Sequence, residues 1–240
     1  MRNEFVLLLS LIISFGGVLV FFRLFEKAGV YAWTVLTTIA ANIEVLILIR
    51  AFGMEQTLGN VLFAATFVAT DILSENYGRK CATKAVLLGV ASNIAFMLIS
   101  QSWFLYTPSR SDWVMPAVRQ IFSNTPRVMA ASLLGYVASE LYDVWSYHTI
   151  WNFTQKKSGD KKKFLWLRNN LSTLAAQLIN TIVFNVAAFA GLYSTKMLIS
   201  ICLSTYVIYI VTSLIDTPFV YLARWIFNRF MKNENNHEMC

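Results

Sequence analysis

The chain has 240 residues, of which 57% are hydrophobic and 14% are charged, and its formal net charge is +7. A soluble domain carries about a quarter charged residues, so this composition excludes an ordinary soluble globular protein. The mean hydropathy of +0.54 indicates an integral membrane protein. The positive charge alone would also suit a nucleic-acid-binding protein, and its distribution along the chain decides between the two.

Uncharged stretches of about 20 residues predict transmembrane helices, because that length crosses the hydrocarbon core of a bilayer. The first stretch lacks the small-residue cleavage site of a signal peptide, so we expect a retained helix. Pro218 should kink the last span or convert its end into an interfacial segment. In chain order, the predicted spans lie at about residues 5–23, 30–51, 57–76, 82–104, 127–151, 169–194 and 197–228.

Basic residues predict the orientation, because Lys and Arg accumulate in cytoplasmic loops. With the N-terminus outside, fourteen of the 20 basic residues fall on the inner side. We therefore expect a multi-pass protein of the cell membrane with its C-terminus in the cytoplasm. The 156–168 loop should be cytoplasmic and the 105–126 loop external. The bilayer then explains the positive charge, and no nucleic-acid partner is expected.

Acids and amides fall inside the predicted spans, where ionisable groups are expensive and usually face a cavity or one another. For Asp71 and Glu140, no basic residue lies at a matching depth, which favours a functional site over a buried ion pair. Asn185 is expected only to join helices by a hydrogen bond. The polar residues concerned are Asn42, Glu44, Asp71, Glu75, Glu140, Asp143, Gln177, Asn180, Asn185 and Asp216.

Three of these acids have another explanation. Glu75 and Asp143 lie close enough to the inner surface to be solvated, or to be paired with Arg79 or Arg168. A pair between Glu75 and Arg79, one helical turn apart, would contribute about 0.3–0.5 kcal/mol. Asp216 precedes the proline of the last span, so it either caps the kinked end or belongs to the site.

No residue pattern predicts catalysis, since the sequence has no nucleophile–base arrangement, HExxH motif or glycine-rich phosphate loop, and its three cysteines match no metal spacing. We therefore expect neither an enzyme nor a bound cofactor or metal. Buried acceptors among 18 Phe, 10 Tyr and 7 Trp residues suit a flat molecule with N–H donors, such as a guanine-like base. A small-molecule transporter and a membrane-embedded binding protein both fit.

Five segments together resemble the queuosine precursor transporter family, which is also grouped with vitamin uptake transporters. The resemblance extends from about residue 30 to residue 225. It implies import of 7-deazaguanine bases for a tRNA modification: 7-cyano-7-deazaguanine, 7-aminomethyl-7-deazaguanine or queuine. The matching segments are AANI at 40–43, TDILSENYGRK at 70–80, TPRVMAASLLGYVASE at 125–140, LWLRNNLSTLAAQLINTIVF at 165–184 and TPFVYL at 217–222.

The resemblance also implies substrate-binding positions. It places Asp71 on the substrate path and ends its helix at Gly78 in a left-handed cap. Family members commonly carry aspartate at the position of Asn180, which weakens any ionic or proton role there. The matching positions are Asn42, Asp71, Glu75, Arg127, Glu140, Arg168, Gln177 and Asn180, to which placement inside a span adds Glu44 and Asp216.

The expected fold is an all-α integral membrane protein, a bundle of about seven transmembrane helices. The resemblance implies six core helices plus an extra N-terminal one, and similarity to the substrate-binding subunits of energy-coupling-factor importers. No Gly- or Ser-rich linker divides the chain, so we expect one transmembrane domain over residues 1–240. Within it we expect a peripheral N-terminal helix at 5–23, the transporter core at 30–228 and a polar cytoplasmic tail at 229–240.

Two functions of different class stay open. In the first, the chain alone transports a small planar nucleobase across the lipid bilayer, as a monomer or a homodimer. In the second, it is the substrate-binding subunit of an ATP-driven vitamin or nucleobase importer. The sequence has no nucleotide-binding motif of its own, and a separate ATP-driven module is not expected. Uptake by the chain alone distinguishes the two.

Overall fold

The computed structural model describes residues 2–122, 126–160 and 163–231. This part of the chain forms seven α-helices and one β-hairpin. A 3-10 turn at Trp103–Leu105 follows α3, and a π-helical turn at Phe227–Met231 follows α7. The elements are α1 (Arg2–Glu44), β1 (Leu48–Ala51), β2 (Met54–Thr57), α2 (Gly59–Tyr77), α3 (Arg79–Ser102), α4 (Met115–Phe122), α5 (Pro126–Ser158), α6 (Leu165–Phe189) and α7 (Thr195–Ile226).

Four helices of the described residues are long and apolar enough to cross a membrane: α1, α6, and α3 and α7 with their short extensions. The expected class, an all-α membrane protein, is confirmed by the length and composition of these helices. From residue 232 onward, the predicted cytoplasmic tail lies outside the described residues, as do Lys161 and Lys162 of the basic loop.

The first helix reverses direction at Glu26, which has φ 52° and ψ −137°. In a straight helix, Gly17 and Trp33 would be about 24 Å apart. Instead, a Cβ at Gly17 would lie 2.1 Å from the Trp33 ring, so only glycine lets the two halves pack this closely. The rings of Phe21 and Trp33 are 5.0 Å apart. Thus α1 is two antiparallel helical segments.

The N-terminal half of α1 packs one face into the hydrophobic core. The Phe15 ring lies edge-on to Phe219 of α7, with 5.3 Å between centroids. Phe22 lies 6.2 Å from Tyr77 of α2. Both phenylalanines are fully buried. The helix expected at 5–23 therefore contributes to the interior of the bundle, with its other face turned outward.

The expected span at 30–51 is wrong in its last residues, because α1 ends at Glu44 and β1 and β2 follow. The strands pair from Leu48 with Thr57 to Ala51 with Met54. Phe52 and Gly53 both have positive φ, which is the two-residue turn suited to strand twist. A short apolar run cannot distinguish strand from helix by periodicity, which explains the error.

This hairpin lies at the same end of the bundle as the N-terminus. Asn3 Nδ2 donates to the Arg50 carbonyl at 2.9 Å. The Phe52 N–H donates to the Glu4 carboxylate at 3.2 Å. We call this the hairpin end of the bundle.

One residue, Gly78, joins α2 to α3. Its φ of 88° and ψ of 176° lie in an extended region that is open to glycine, so the expected left-handed cap is wrong in its ψ value. The Gly78 N–H donates to the Leu73 carbonyl at 2.9 Å and closes the last turn of α2. In α7, the helix continues through Pro218 to Ile226, so no separate interfacial segment begins at the proline.

Candidate functional site

Buried polar side chains from α2, α5, α6 and α7 line up along the bundle, and we call this set the polar column. Each is at most 5% exposed. Spacings of three or four residues place the members from each helix on one face. The members are Thr66, Thr70, Asp71 and Ser74 on α2; Glu140 and Asp143 on α5; Asn169, Thr173, Gln177 and Asn180 on α6; and Tyr209, Ser213 and Asp216 on α7.

A small cleft lies at the hairpin end of the column. Asn180 Nδ2 donates to the Tyr209 hydroxyl at 3.3 Å, and that hydroxyl donates to Asn60 Oδ1 at 3.2 Å. Two aromatic side chains, Phe63 and Phe184, also line the cleft. Amide and hydroxyl groups between aromatic walls can orient a flat polar molecule.

Next along the column, Glu140 is held by two hydroxyl groups of α2. Thr66 donates to Oε1, and Thr70 donates to Oε2 at 3.0 Å. A carboxylate has about four acceptor positions, so each oxygen keeps room for a second donor. Gln177 is also fully buried, and neither of its amide atoms finds a partner among the described residues.

Deeper in the column, Asp71 and Asp143 share one hydroxyl group. Thr173 Oγ1 is 3.3 Å from Asp71 Oδ2 and 3.4 Å from Asp143 Oδ1. Both carboxyls are fully buried, so the expectation that Asp143 is solvated near the inner surface is wrong. The reason is that α5 continues to Ser158, and its last fifteen residues place about 22 Å of helix between Asp143 and that end.

Asp216 also belongs to the column and does not cap a kinked helix end. Its Oδ1 accepts from Asn169 Nδ2 at 2.8 Å, and the residue is 1% exposed. Asn169 Oδ1 and the Ser213 hydroxyl have no partner within the described part of the chain. The column thus contains polar atoms that a ligand, water or proton could satisfy.

The column ends in a buried ion pair between Glu75 of α2 and Arg168 of α6. Arg168 Nη2 lies 2.6 Å from Glu75 Oε2 and 2.7 Å from Oε1. The Tyr147 hydroxyl donates to Oε2 at 2.7 Å, and Arg224 lies 3.2 Å from Oε1. The Arg168 guanidinium also lies 4.3 Å from the Trp151 ring centroid, at cation–π distance. We call this the ion-pair end.

Glu75 is therefore neither solvated nor paired with Arg79, two of the explanations proposed from the sequence. Its side chain is 3% exposed, and its partners are Arg168 and Arg224. The helical rule that suggested Arg79 considers neighbours on one helix only. In the structure, Glu75 instead contacts arginine side chains from two other helices, α6 and α7.

Besides Glu75 and Arg168 of the ion-pair end, three predicted site residues lie outside the column. Arg127 donates to carbonyls at the C-terminal end of α6, at 2.9 and 2.6 Å, and so caps that helix. Asn42 donates to Asn93 Oδ1 at 2.5 Å and joins α1 to α3. Glu44 is the last residue of α1 and is half-buried.

Sequence reasoning missed the hydroxyl and amide partners of the acids. Thr66 and Thr70 are four residues apart on one helix, a spacing that would have placed both beside one carboxylate. Thr173 and Asn169 have the same spacing on α6. Threonine is common in membrane helices, so a threonine alone does not predict a site. A nearby buried acid is what would have indicated that these threonines are its partners.

Comparisons with known proteins agree with the expected class. A family model described as "Putative vitamin uptake transporter" matches residues 57–223, a range that contains the whole polar column. The chain is similar to a Bacillus subtilis (strain 168) protein described as "Probable queuosine precursor transporter", with 38% identity over 213 residues, 89% of this chain and 91% of the relative. No solved structure gives a match.

Proposed function

We propose a function from the premise that this chain belongs to the vitamin uptake transporter family: it imports queuosine precursors, the 7-deazaguanine bases, across the cell membrane. The description of the 38% identical relative supports this substrate class. In this proposal the chain acts without an ATP-driven module and brings the base to tRNA-modifying enzymes. The N-terminus lies outside and the C-terminus in the cytoplasm, following the positive-inside rule.

The observation that carries the proposal is the environment of Glu140. Its two oxygens are oriented by Thr66 and Thr70, and the unpartnered amide of Gln177 is buried in the same column. The ring N–H and adjacent amino group of a 7-deazaguanine base form a parallel pair of donors that one carboxylate can accept. The Gln177 amide can satisfy another polar edge of the same ring.

The two ends of the column support a transport path. The cleft with Asn180 and Tyr209 at the hairpin end provides an entrance. The Glu75–Arg168 pair closes the other end, together with Tyr147 and Trp151. A base that enters from outside would bind at Glu140, and the ion-pair end would have to open for release. Asp71 and Asp216 line the path between these points.

Uptake by the purified chain in proteoliposomes tests the function. We expect uptake of at least one of 7-cyano-7-deazaguanine, 7-aminomethyl-7-deazaguanine and queuine, with guanine as the control base. Binding of a base by thermal shift, without uptake by the chain alone, would instead support the substrate-binding subunit of an ATP-driven importer. Neither binding nor uptake of any of the three bases would contradict the proposed substrate class.

A further inference from the structure

The Asp71–Asp143 pair has few hydrogens for two ionised carboxylates. Thr173 Oγ1 carries one hydrogen, yet it lies within hydrogen-bond distance of both acids. The Ser172 hydroxyl also interacts with Asp143, but it donates to the Asn169 carbonyl at 3.2 Å. The second oxygen of each acid, Asp71 Oδ1 and Asp143 Oδ2, is buried with no partner among the described residues. A proton on one carboxyl would supply the hydrogen that the pair lacks.

The charges around the pair point the same way. Asp71 interacts electrostatically with Asp143, and also with Glu140 of α5 and Asp216 of α7. Tyr147 of α5 lies near enough to Asp71 for the two to interact as well. Negative charge therefore accumulates here, and buried charges without counter-charges are strongly disfavoured.

No free cation offsets these acids in the described part of the chain. Arg168 is the one basic residue there that is buried, and Glu75 engages it through both carboxylate oxygens. The buried polar residues of α1 and α3, which also pack on α2, are uncharged within the same range. A small cation bound from solution could neutralise the pair, and a proton would also supply the hydrogen that the pair lacks.

The position of the pair fits a role in coupling. Asp143 lies three residues from Glu140 on α5, and Asp71 lies four residues from Glu75 on α2. The pair is therefore one helical turn from the proposed base-binding carboxylate and one turn from the ion pair that closes the column. A helix movement at either neighbour would therefore displace one member of the pair.

We propose that this chain is a proton symporter and that the Asp71–Asp143 pair binds the coupling proton. The inference rests on the proposed function, because a coupling proton requires a transported substrate. One carboxylate takes a proton from the outside, the base binds at Glu140, and the proton leaves to cytoplasmic water when the ion-pair end opens. One proton then enters with each base, and no redox step is involved.

Proteoliposomes containing the purified chain test this directly, with the membrane potential clamped. An external pH one unit below the internal pH should drive up to about tenfold accumulation of labelled 7-cyano-7-deazaguanine, because one proton per base can support a tenfold gradient. A pH-sensitive dye in the lumen should report acidification when the base is added. A sodium gradient at symmetric pH should drive no accumulation.

Variants assign the proton to the pair. Asp143→Asn should lose the pH-driven accumulation and the lumenal acidification, and Thr173→Val, which removes the shared hydroxyl, should weaken both. Asp112→Asn makes the same acid-to-amide change in an exposed loop and should behave as wild type. If Asp143→Asn does not fold, the wild-type dye signal still tests proton coupling. The Thr173→Val variant then tests whether the pair binds the proton.

Two results would overturn the inference. Wild-type uptake that is independent of the pH gradient, with no lumenal acidification, would show transport without proton coupling. Proton-coupled uptake that persists fully in folded Asp143→Asn would place the proton elsewhere. Absence of any uptake or counterflow, under any gradient, would instead contradict the proposed function itself.

Discussion

Glu140 is the side chain whose substitution tests base binding most directly. Glu140→Gln keeps the shape but replaces an acceptor oxygen by an N–H donor, which would face a donor of the base. We expect affinity to fall about thirtyfold or more, about 2–4 kcal/mol, from loss of a charge-assisted hydrogen bond and the new mismatch. Calorimetric titration of the purified protein with 7-cyano-7-deazaguanine measures this. Asp112→Asn is the matched control, and wild-type affinity in Glu140→Gln would exclude Glu140 from the site.

Asp71→Asn should abolish uptake while the protein still folds. Asparagine has nearly the same volume and keeps an oxygen that can accept from Thr173. It cannot exchange a proton or carry a negative charge, so the functional property is removed without a cavity. Uptake at matched expression, with size-exclusion elution as the folding check, measures the effect. Uptake at the wild-type rate would show that Asp71 is only structural.

Glu75→Gln should mainly destabilise the protein. The sequence predicts that Glu75→Gln leaves much of the transport intact, because a helical pair with Arg79 contributes only about 0.3–0.5 kcal/mol. The structure instead pairs Glu75 with buried Arg168, and removing one partner of a buried pair costs about 3–5 kcal/mol.

Thermal unfolding in detergent distinguishes a weak pair with Arg79 from a buried pair with Arg168. Arg224→Gln is the control, because the Arg224 side chain is 17% exposed and water can compensate part of its loss. We expect a much smaller decrease in unfolding temperature for Arg224→Gln than for Glu75→Gln. Equal decreases would mean that the network has no dominant pair.

At the scale of elements, the sequence predicts the long apolar helices well and their ends poorly. Length and low charge identify α1, α3, α6 and α7, because a bilayer imposes both requirements. The hairpin at 48–57 escapes prediction, since its register depends on a turn and on contacts with Asn3 and Glu4. The depth of Asp143 also escapes prediction, because the last turns of α5 before Ser158 are polar and resemble a loop in hydropathy.

The polar column was also only partly predictable from the sequence. An acid inside an apolar span is visible in the sequence, so Asp71, Glu140 and Asp216 could be predicted. Their partners come from other helices, as Thr173 and Asn169 do. Single-sequence patterns do not encode which faces of two helices meet. Tertiary packing decides this.

The two halves of α1 provide a matched test of helix packing. A Cβ at Gly17 would overlap the rigid ring of Trp33, whereas nothing lies within 4 Å of a Cβ at Gly16. We expect Gly17→Ala to lower the free energy of unfolding by about 1–3 kcal/mol, the usual range for overpacking. Gly16→Ala should leave it unchanged or raise it slightly. Thermal unfolding of both variants in detergent measures this, and equal stability would contradict the close packing at Gly17.

At the scale of the whole molecule, the surface suits lipid. Large apolar side chains such as Leu98, Leu203 and Leu24 are more than 60% exposed, at 66%, 62% and 65%. In water such a surface would indicate a partner protein. In a bilayer it is the expected contact with acyl chains, so the apolar exterior alone does not indicate a homodimer.

Cysteine labelling in intact cells tests the orientation. A membrane-impermeant maleimide should modify Asp112→Cys, between α3 and α4, and should not modify Asp160→Cys, in the basic connection between α5 and α6, because positive loops stay in the cytoplasm. The chain without either substitution gives the background. Labelling of Asp160→Cys but not Asp112→Cys would invert the orientation. In that case the cleft at the hairpin end would face the cytoplasm.

The reversal at Glu26 predicts a role in membrane insertion for the first 44 residues. As the nascent chain leaves the ribosome, the second half of α1 is complete only 18 residues after the reversal. The two halves can then pair through Gly17 and Trp33 and leave the translocon together, before any column helix exists. Arg23 and Lys27 flank the reversal, and the positive-inside rule predicts that they hold it at the cytoplasmic surface. The two paired halves of α1 would then fix the orientation of every later helix. A Gly17 variant should therefore also show misoriented chains.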